Sequence, residues 1–332
     1  MLEAYFRSID PDIVLWTVRS FYIFASYAIL IVRLIPDLRY RFLDYGARSN
    51  TAQKTYVVKS STFPRWVRIQ IDPLLDMAAD TTVPHNWFYH FYIVSTICTA
   101  LWSGIILRNH EPQLLSASWG LNNIWESRTK LCMLLMEIQG LRRLYECLFM
   151  SKPSKSRMWI GHYCIGIAFY LVTNVAIWLE PGVNRQELMI ETALDYPASQ
   201  IRTYRIGTAE KTFEITRTLT CLALFVHFSF KQHQVHKYLA SLQEYRVPEH
   251  PIYHETNLIC PHYGFEVNIY LVLSVLTAQD LRILNVTMLC ATFFVIINLG
   301  VTADLTKSWL LEEFPKQRPE IAKRKKMLGS IW

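Results

Sequence analysis

Charged side chains are scarce in this sequence. Asp, Glu, Lys and Arg make up 18% of its 332 residues, against about 25% in soluble globular domains, so the groups that keep an ordinary surface wet are in short supply. With only 11 glycines and 14 prolines, collagen-like and low-complexity architectures are excluded. No glycine stands in the G-x-G-x-x-G turn of a dinucleotide fold or the G-x-x-x-x-G-K-[ST] loop that cradles phosphates. H-E-x-x-H and G-x-S-x-G are missing too. A nucleotide cofactor, if one is used, must therefore be held by polar side chains of membrane helices. Cys98, Cys132, Cys147, Cys164, Cys221, Cys260 and Cys290 show no C-x-x-C spacing. They fall mostly in or beside apolar runs, which indicates packing residues rather than a disulfide framework or a zinc site. No segment repeats at a fixed period.

What the sequence does have is apolar bulk: 52% hydrophobic and 14% aromatic residues, a composition that excludes disorder. The apolar residues gather in long runs, and a membrane-spanning helix needs about 20 of them. Seven candidate spans result, over 13–35, 88–107, 130–150, 158–179, 213–242, 263–277 and 283–303. The third is more polar, the fourth ends at Glu180-Pro181, and the sixth is short. The expected fold is all-α, a polytopic membrane protein of about seven transmembrane helices without a Rossmann domain. Residues 1–86 form one unit, a first helix and a polar cytoplasmic loop; residues 87–332 form the catalytic one. The first apolar run is too long for a cleaved signal and lacks a small-residue cleavage site, so it reads as an anchor.

The net charge of +7 does not point to nucleic acid, because the basic residues lie between apolar runs and in the tail Lys323-Arg324-Lys325-Lys326. That distribution suits an anionic leaflet. Short cytoplasmic loops carry the excess of Lys and Arg. Arg39, Arg41, Arg48, Lys54, Lys59, Arg65 and Arg68 fall in the first loop, with Lys152, Lys155 and Arg157 in the third. Arg108 and Arg128 are the chief basic residues of the second, and Arg282 stands alone in the sixth. The C-terminus is thus expected in the cytoplasm and the N-terminus in the lumen. The sequon Asn285-Val286-Thr287 then faces the lumen, but it abuts the bilayer and is expected to stay unmodified.

Ionisable residues at membrane depth are costly and mark function by default. The run Gln139-Gly140-Leu141-Arg142-Arg143-Leu144-Tyr145-Glu146 places two arginines and a glutamate inside an apolar stretch, with Arg142 and Glu146 one turn apart. Either the arginines line a polar cavity and grip an anion, or the helix ends early and they snorkel to the interface. Lys231-Gln232-His233-Gln234-Val235-His236 extends the fifth segment, and helical spacing puts Gln232, His236 and Gln243 near one face. A solvated helix end explains that pattern equally well. In Cys260-Pro261-His262-Tyr263-Gly264-Phe265-Glu266, the proline suits a first helical turn, and His262, Glu266 and Tyr270 follow at four-residue steps. A carboxylate buried there needs donors, which His262 and Tyr270 supply; the alternative is a helix end in the headgroup layer.

Cys260-Pro261-His262-Tyr263 with Glu266, Tyr245-Arg246-Val247-Pro248 upstream, and the basic C-terminus after Phe314 resemble the C-terminal domain of the steroid 5-alpha-reductase family. Arg142 to Glu146, Val83-Pro84 with Phe88-Tyr89-His90-Phe91-Tyr92, and Asp44-Tyr45-Gly46 resemble its polyprenol (polyprenal) reductase branch. The run from Asn298 to Asp304 looks like its fungal members. The resemblance touches all the helices from about Asp44 onward, and it is specific through the combination of motifs. It implies seven transmembrane helices and an NADPH pocket open to the cytoplasm. Its cofactor contacts fall on Arg143, Gln232, His236, Tyr245, Arg246, His262 and Glu266. Arg143 and Arg246 would lie near charged groups of the cofactor, His262 and Glu266 near its polar head. No metal is implied. The chain departs from the family at three places: Gly140 stands where steroid-reducing members have a ketone-polarising tyrosine, Lys307 and Leu310 replace the usual His and Tyr, and Gln243 replaces a common arginine.

Hydride addition to a carbon–carbon double bond requires that bond to be electron-poor, which an adjacent carbonyl provides and an allylic alcohol does not. A donor must then stabilise charge developing on the carbonyl oxygen, and an acid must protonate the alpha carbon. His90 and Tyr92 are the candidates, with Glu146 the third catalytic candidate; His90 and Tyr92 would alternatively be interfacial aromatic-belt residues. The expectation is an enzyme of the endoplasmic-reticulum membrane that reduces the alpha-isoprene unit of polyprenal with NADPH for dolichol synthesis. Its partners would be a long polyprenyl lipid and membrane lipids, with no nucleic acid. A membrane methyltransferase of the isoprenylcysteine type and a non-catalytic seven-helix lipid-binding protein are the alternatives.

Overall fold

The computed structural model describes residues 10–43, 64–108, 127–152, 156–195, 208–278 and 284–329. The Asp44-Tyr45-Gly46 motif, Arg282 and much of the basic first loop lie outside them. The elements are α1 (Pro11–Leu34), α2 (Pro36–Phe42), α3 (Arg65–Asp80), β1 (Thr82–Pro84), α4 (Tyr89–Arg108), α5 (Ser127–Tyr145), β2 (Arg157–Trp159), α6 (Ile160–Asp195), α7 (Thr208–Ser241), α8 (Pro251–Thr256), α9 (Pro261–Leu276), α10 (Val286–Glu313) and α11 (Arg318–Lys323). A 3₁₀ turn, His85–Phe88, leads into α4, and a π-helical turn, Glu146–Met150, extends α5.

The fold is mostly helical, with one correction to the all-α expectation: β1 and β2 pair antiparallel, Val83 opposite Met158. Each of the seven apolar segments is a helix. Among the described residues three helices are long and apolar enough to cross a membrane, over 11–34, 160–181 and 286–313. Helix α9 is short, at 16 residues, and polar residues are set into α5 and α7, as in the Arg142-Arg143 run of α5. The polar insertion after residue 36 also holds a helix the sequence reading did not expect, α3. Proline does not end α6 at Pro181 either, since the helix continues to Asp195. Neighbouring structure can take up the carbonyl that a membrane-helix proline leaves unbonded.

Helix α1 packs along α10, α9 along α7, and α4 between α5 and α6. Ion pairs fix the α1–α10 contact at both ends. At the first, the buried Glu180 of α6 accepts from Arg19 Nη2 at 2.9 Å, from the amides of Val286 and Thr287 at 3.0 and 2.7 Å, and from Thr287 Oγ1 at 2.7 Å. A carboxylate thus caps the start of α10, where four amides lack helical partners and the dipole favours a negative charge. Asn285 is buried as the side-chain cap of the same helix, accepting from Met288 N at 3.0 Å. Both polar members of the Asn285-Val286-Thr287 sequon are therefore engaged in the fold. At the other end Arg33 pairs with Asp304, whose second oxygen takes Lys326 Nζ at 2.7 Å.

The basic tail is strapped down rather than free. Ile259 N and Cys260 N donate to the carbonyls of Lys325 and Lys326 at 2.8 and 2.9 Å, and Lys325 N to Asn257 O at 2.8 Å. Asn257 turns the chain with φ of 53°, a left-handed conformation that Asn tolerates. Lys307 Nζ holds the tail from α10, donating to Ala322 O and Arg324 O at 3.0 and 2.5 Å. Gly264 sits beneath the strap: a Cβ there would come 2.7 Å from Met327 O. Gly264→Val should therefore lift the tail and lower stability by about 1–3 kcal/mol, the usual cost of overpacking. Limited trypsin digestion should then cut at Lys325 and Lys326 faster than in the wild type. Unchanged digestion would show that the strap tolerates a side chain beneath it.

Candidate active site

One residue of α5 organises the polar interior. Glu146 has 3% side-chain exposure and accepts from Arg142 Nη1 at 2.5 Å; Arg143 Nη1 pairs with its other oxygen. From α7, His233 Nδ1 lies 2.7 Å from Oε1 and His236 Nδ1 2.7 Å from Oε2. His236 Nδ1 is also 2.5 Å from Arg143 Nη1. The helix widens to π at Glu146, a local change that often marks functional sites. The arginines therefore do not snorkel out; a buried counter-charge holds them in place.

A second network runs from α5 to α9. Arg142 Nη2 donates to Gln139 Oε1 at 2.8 Å and to Gln232 Oε1. Gln139 Nε2 donates to Glu266 Oε2 at 3.2 Å, as does Gln232 Nε2, which also reaches His262 O at 3.3 Å. Two neutral amides thus set the position of the Glu266 carboxylate. Arg143 faces the other way, donating through Nε to Tyr92 Oη at 3.1 Å, with its guanidinium 5.0 Å from the Tyr92 ring centre.

These side chains converge on a cavity of about 380 Å³, within the range of ligand pockets. Its polar lining is Tyr92, Arg143, Tyr170, Gln232, His236, His262, Glu266 and Tyr270. Apolar residues, Phe88, Phe91, Met158, Ile165, Phe169 and Phe294 among them, line the rest. Asn298, Thr302 and Thr306 of α10 add a polar stripe at four-residue spacing. Phe91 can lie flat against α6 because position 166 is glycine, where a Cβ would come 2.6 Å from its ring.

Of the ten site residues read from the sequence, six line the cavity: Tyr92, Arg143, Gln232, His236, His262 and Glu266. Glu146 stands behind them, holding Arg143 and His236. The structure does not bring His90 into the cavity lining; its Nδ1 is 3.0 Å from Tyr163 Oη, between α4 and α6. Tyr245 and Arg246 lie on an exposed segment after α7, where the Tyr245 ring is 5.5 Å from Trp309. Gln243 follows the end of α7 and shares no face with Gln232. Gly140 faces α4, a Cβ there meeting Thr96 Cγ2 at 3.0 Å. Sequence reasoning missed Tyr170, a tyrosine set in an apolar run, and the Asn298-Thr302-Thr306 stripe, which helical spacing does reveal.

A set of this kind can bind a polar, anionic molecule through its polar lining and an apolar one through the rest. Arg143 offers a cation and Glu266 an acceptor, while His262 Nδ1 is buried with no hydrogen-bond partner, a site that asks for a ligand atom. The arrangement defines a class, membrane-embedded proteins with a polar chamber between helices. Residues 195–332 match the family profile described as 3-oxo-5-alpha-steroid 4-dehydrogenase. The chain is 29% identical to a polyprenal reductase of Caenorhabditis elegans, covering 71% of this chain and 76% of that protein. It is 25% identical to polyprenal reductase 2 of Oryza sativa subsp. japonica (72% and 78% covered) and 24% identical to the Xenopus tropicalis polyprenal reductase (70% and 75%).

Glu146→Ala leaves two guanidiniums buried without their counter-charge, an arrangement that costs about 3–5 kcal/mol. Denaturant unfolding in detergent micelles should show a loss of that size. A variant as stable as the wild type would mean that water, rather than Glu146, satisfies the arginines.

Proposed function

We propose that the chain is an NADPH-dependent oxidoreductase acting on a CH–CH group, reducing the alpha-isoprene double bond of polyprenal in dolichol biosynthesis for protein N-glycosylation. The observation that carries this reading is the convergence of Arg143, His262, Glu266 and Tyr92, from three helices, on one cavity that also has an apolar lining. The polyprenal reductase relatives and the matched family profile support it, and the methyltransferase and non-catalytic readings are not favoured. We assign the catalytic unit to residues 87–332, with the first helix and its following loop as a separate N-terminal part.

The polar lining suits NADPH in its chemistry. Arg143 matches an anionic or carbonyl oxygen, Glu266 accepts from amide or hydroxyl groups, and His262 has a ring nitrogen to satisfy. Tyr245 and Arg246 would contact the part of the dinucleotide outside the cavity. NADPH supplies a hydride for the beta carbon of the enal. As that carbon gains hydride, the electron pair of the double bond moves toward the carbonyl oxygen, and a donor must meet the charge there. Tyr92 is the donor in this reading. Arg143 donates to its oxygen, which leaves the phenolic proton to point at substrate. Water would then give a proton to the alpha carbon as the carbonyl reforms, leaving the saturated aldehyde and hydroxide. The prenyl chain lies along the aromatic residues Phe88, Phe91 and Phe169.

A steroid ketone is disfavoured because position 140 is glycine packed against α4 and offers no phenol. The seven apolar helices are read as seven spans, the endoplasmic reticulum as the membrane, and the C-terminus as cytoplasmic, since the basic residues gather at that end.

Purified protein in lipid vesicles should oxidise NADPH with polyprenal, and not with polyprenol or a 3-oxo-steroid. Tyr92→Phe should lower kcat about 100-fold or more, the usual effect of losing a donor to a developing oxyanion, while His90→Phe keeps most of it. Glu266→Ala should abolish turnover with the protein still folded. Equal turnover in wild type and Glu266→Ala would remove the proposed pocket.

A further inference from the structure

Helix α3 is amphipathic in the reverse sense for a soluble protein. Its inward face is tied to the body by charge and hydrogen bonds: Arg41 of α2 reaches Asp72 at 3.1 Å and Asp76 at 2.7 Å, and Trp159 Nε1 donates to Ala78 O at 2.9 Å. Its outward face carries Trp66, Ile69, Leu74 and Met77, exposed by 71, 69, 61 and 67%. They recur at helical spacing, with Pro73 between them, and form an apolar stripe beside the exposed Gln70, Asp76 and Asp80. A solvated helix shows water its polar side, and a contiguous apolar stripe turned outward marks a contact surface.

We propose that α3 is a membrane-surface helix whose outward face sits in the lipid–water boundary of the bilayer that the chain spans, and that it frames the portal through which a prenyl chain reaches the cavity. Position in the fold identifies lipid as the occupant. The stripe continues from a lipid-facing span: Leu34, the last residue of α1, is 76% exposed, and the short helix α2 joins α1 to the Arg41 anchor. Trp66 with aliphatic residues on one face is the composition of an interfacial helix, while Arg41 and Arg68 are paired with Asp72 and Asp76 on its other sides. The portal follows from connectivity. One residue after α3 the chain enters β1, and Ile160 N donates to Thr81 O at 3.0 Å. Past β1 come His85 and Phe88, and across the ribbon Met158, all of which line the cavity. A shift of α3 therefore moves the cavity mouth.

The portal half rests on the reading of a long prenyl substrate; the lipid seat does not. To test both, Ile69 is replaced by the photoreactive residue p-benzoylphenylalanine in the full chain, which is placed in vesicles of phosphatidylcholine and phosphatidylserine and irradiated. Mass spectrometry should find a phospholipid adduct; an adduct to a second copy of the chain, or none, overturns the seat. In the same vesicles Ile69→Glu/Leu74→Glu should raise the apparent KM for a long-chain prenal about fivefold or more, with kcat and the KM for a short, water-dispersed prenal within about twofold of wild type. Equal loss for both substrates, or for neither, overturns the portal. A lipid adduct from a chain that reduces no prenal keeps the seat and overturns the substrate reading.

Discussion

The interior of this protein depends on one carboxylate. A charge in a low-dielectric environment costs several kcal/mol unless it is paired and hydrogen-bonded, and Glu146 pairs with two guanidiniums and faces two imidazoles from a neighbouring helix. The interaction that stabilises the buried arginines also joins α5 to α7 and aims Arg143 at Tyr92 and His236 at the cavity. Binding chemistry and packing are here the same set of bonds.

The rest of the architecture keeps that set in register. Glu180 joins three helices at one end of the bundle by capping α10 and holding Arg19, while Asp304, with Arg33 and Lys326, closes the other end. The C-terminal strap lies over the first turn of α9, which carries His262 and leads to Glu266 one turn on. Gly264 has no side chain because the strap passes there. The basic tail is thereby part of the site's support, with Lys307 as one of its fasteners.

Much of this was legible in the sequence, and what was not has physical causes. Four-residue spacing placed His262, Glu266 and Tyr270 on one face, and all three line the cavity. Charge inside an apolar run marked Arg143, and helical spacing in the polar extension of the fifth segment marked His236. Spacing along one helix, however, does not say which neighbour a side chain meets. His90 and Tyr92 looked alike from the sequence, yet two residues along a helix point about 200° apart, so Tyr92 meets Arg143 and His90 meets Tyr163. Tyr170 gave no signal because a tyrosine in an apolar run usually reads as packing. Helix α3 was hidden because its mean hydropathy is that of a loop; only the segregation of its apolar residues to one face reveals it.

In the proposed function, buried cations held by Glu146 form the anion-binding part of a cofactor chamber. The most direct measurement is the dissociation constant of NADPH for purified wild-type protein and for Arg143→Met, by equilibrium titration in detergent. The account expects saturable binding to the wild type and binding at least about tenfold weaker in the variant, a difference of ~1.4 kcal/mol. Equal affinity in the two proteins would contradict it.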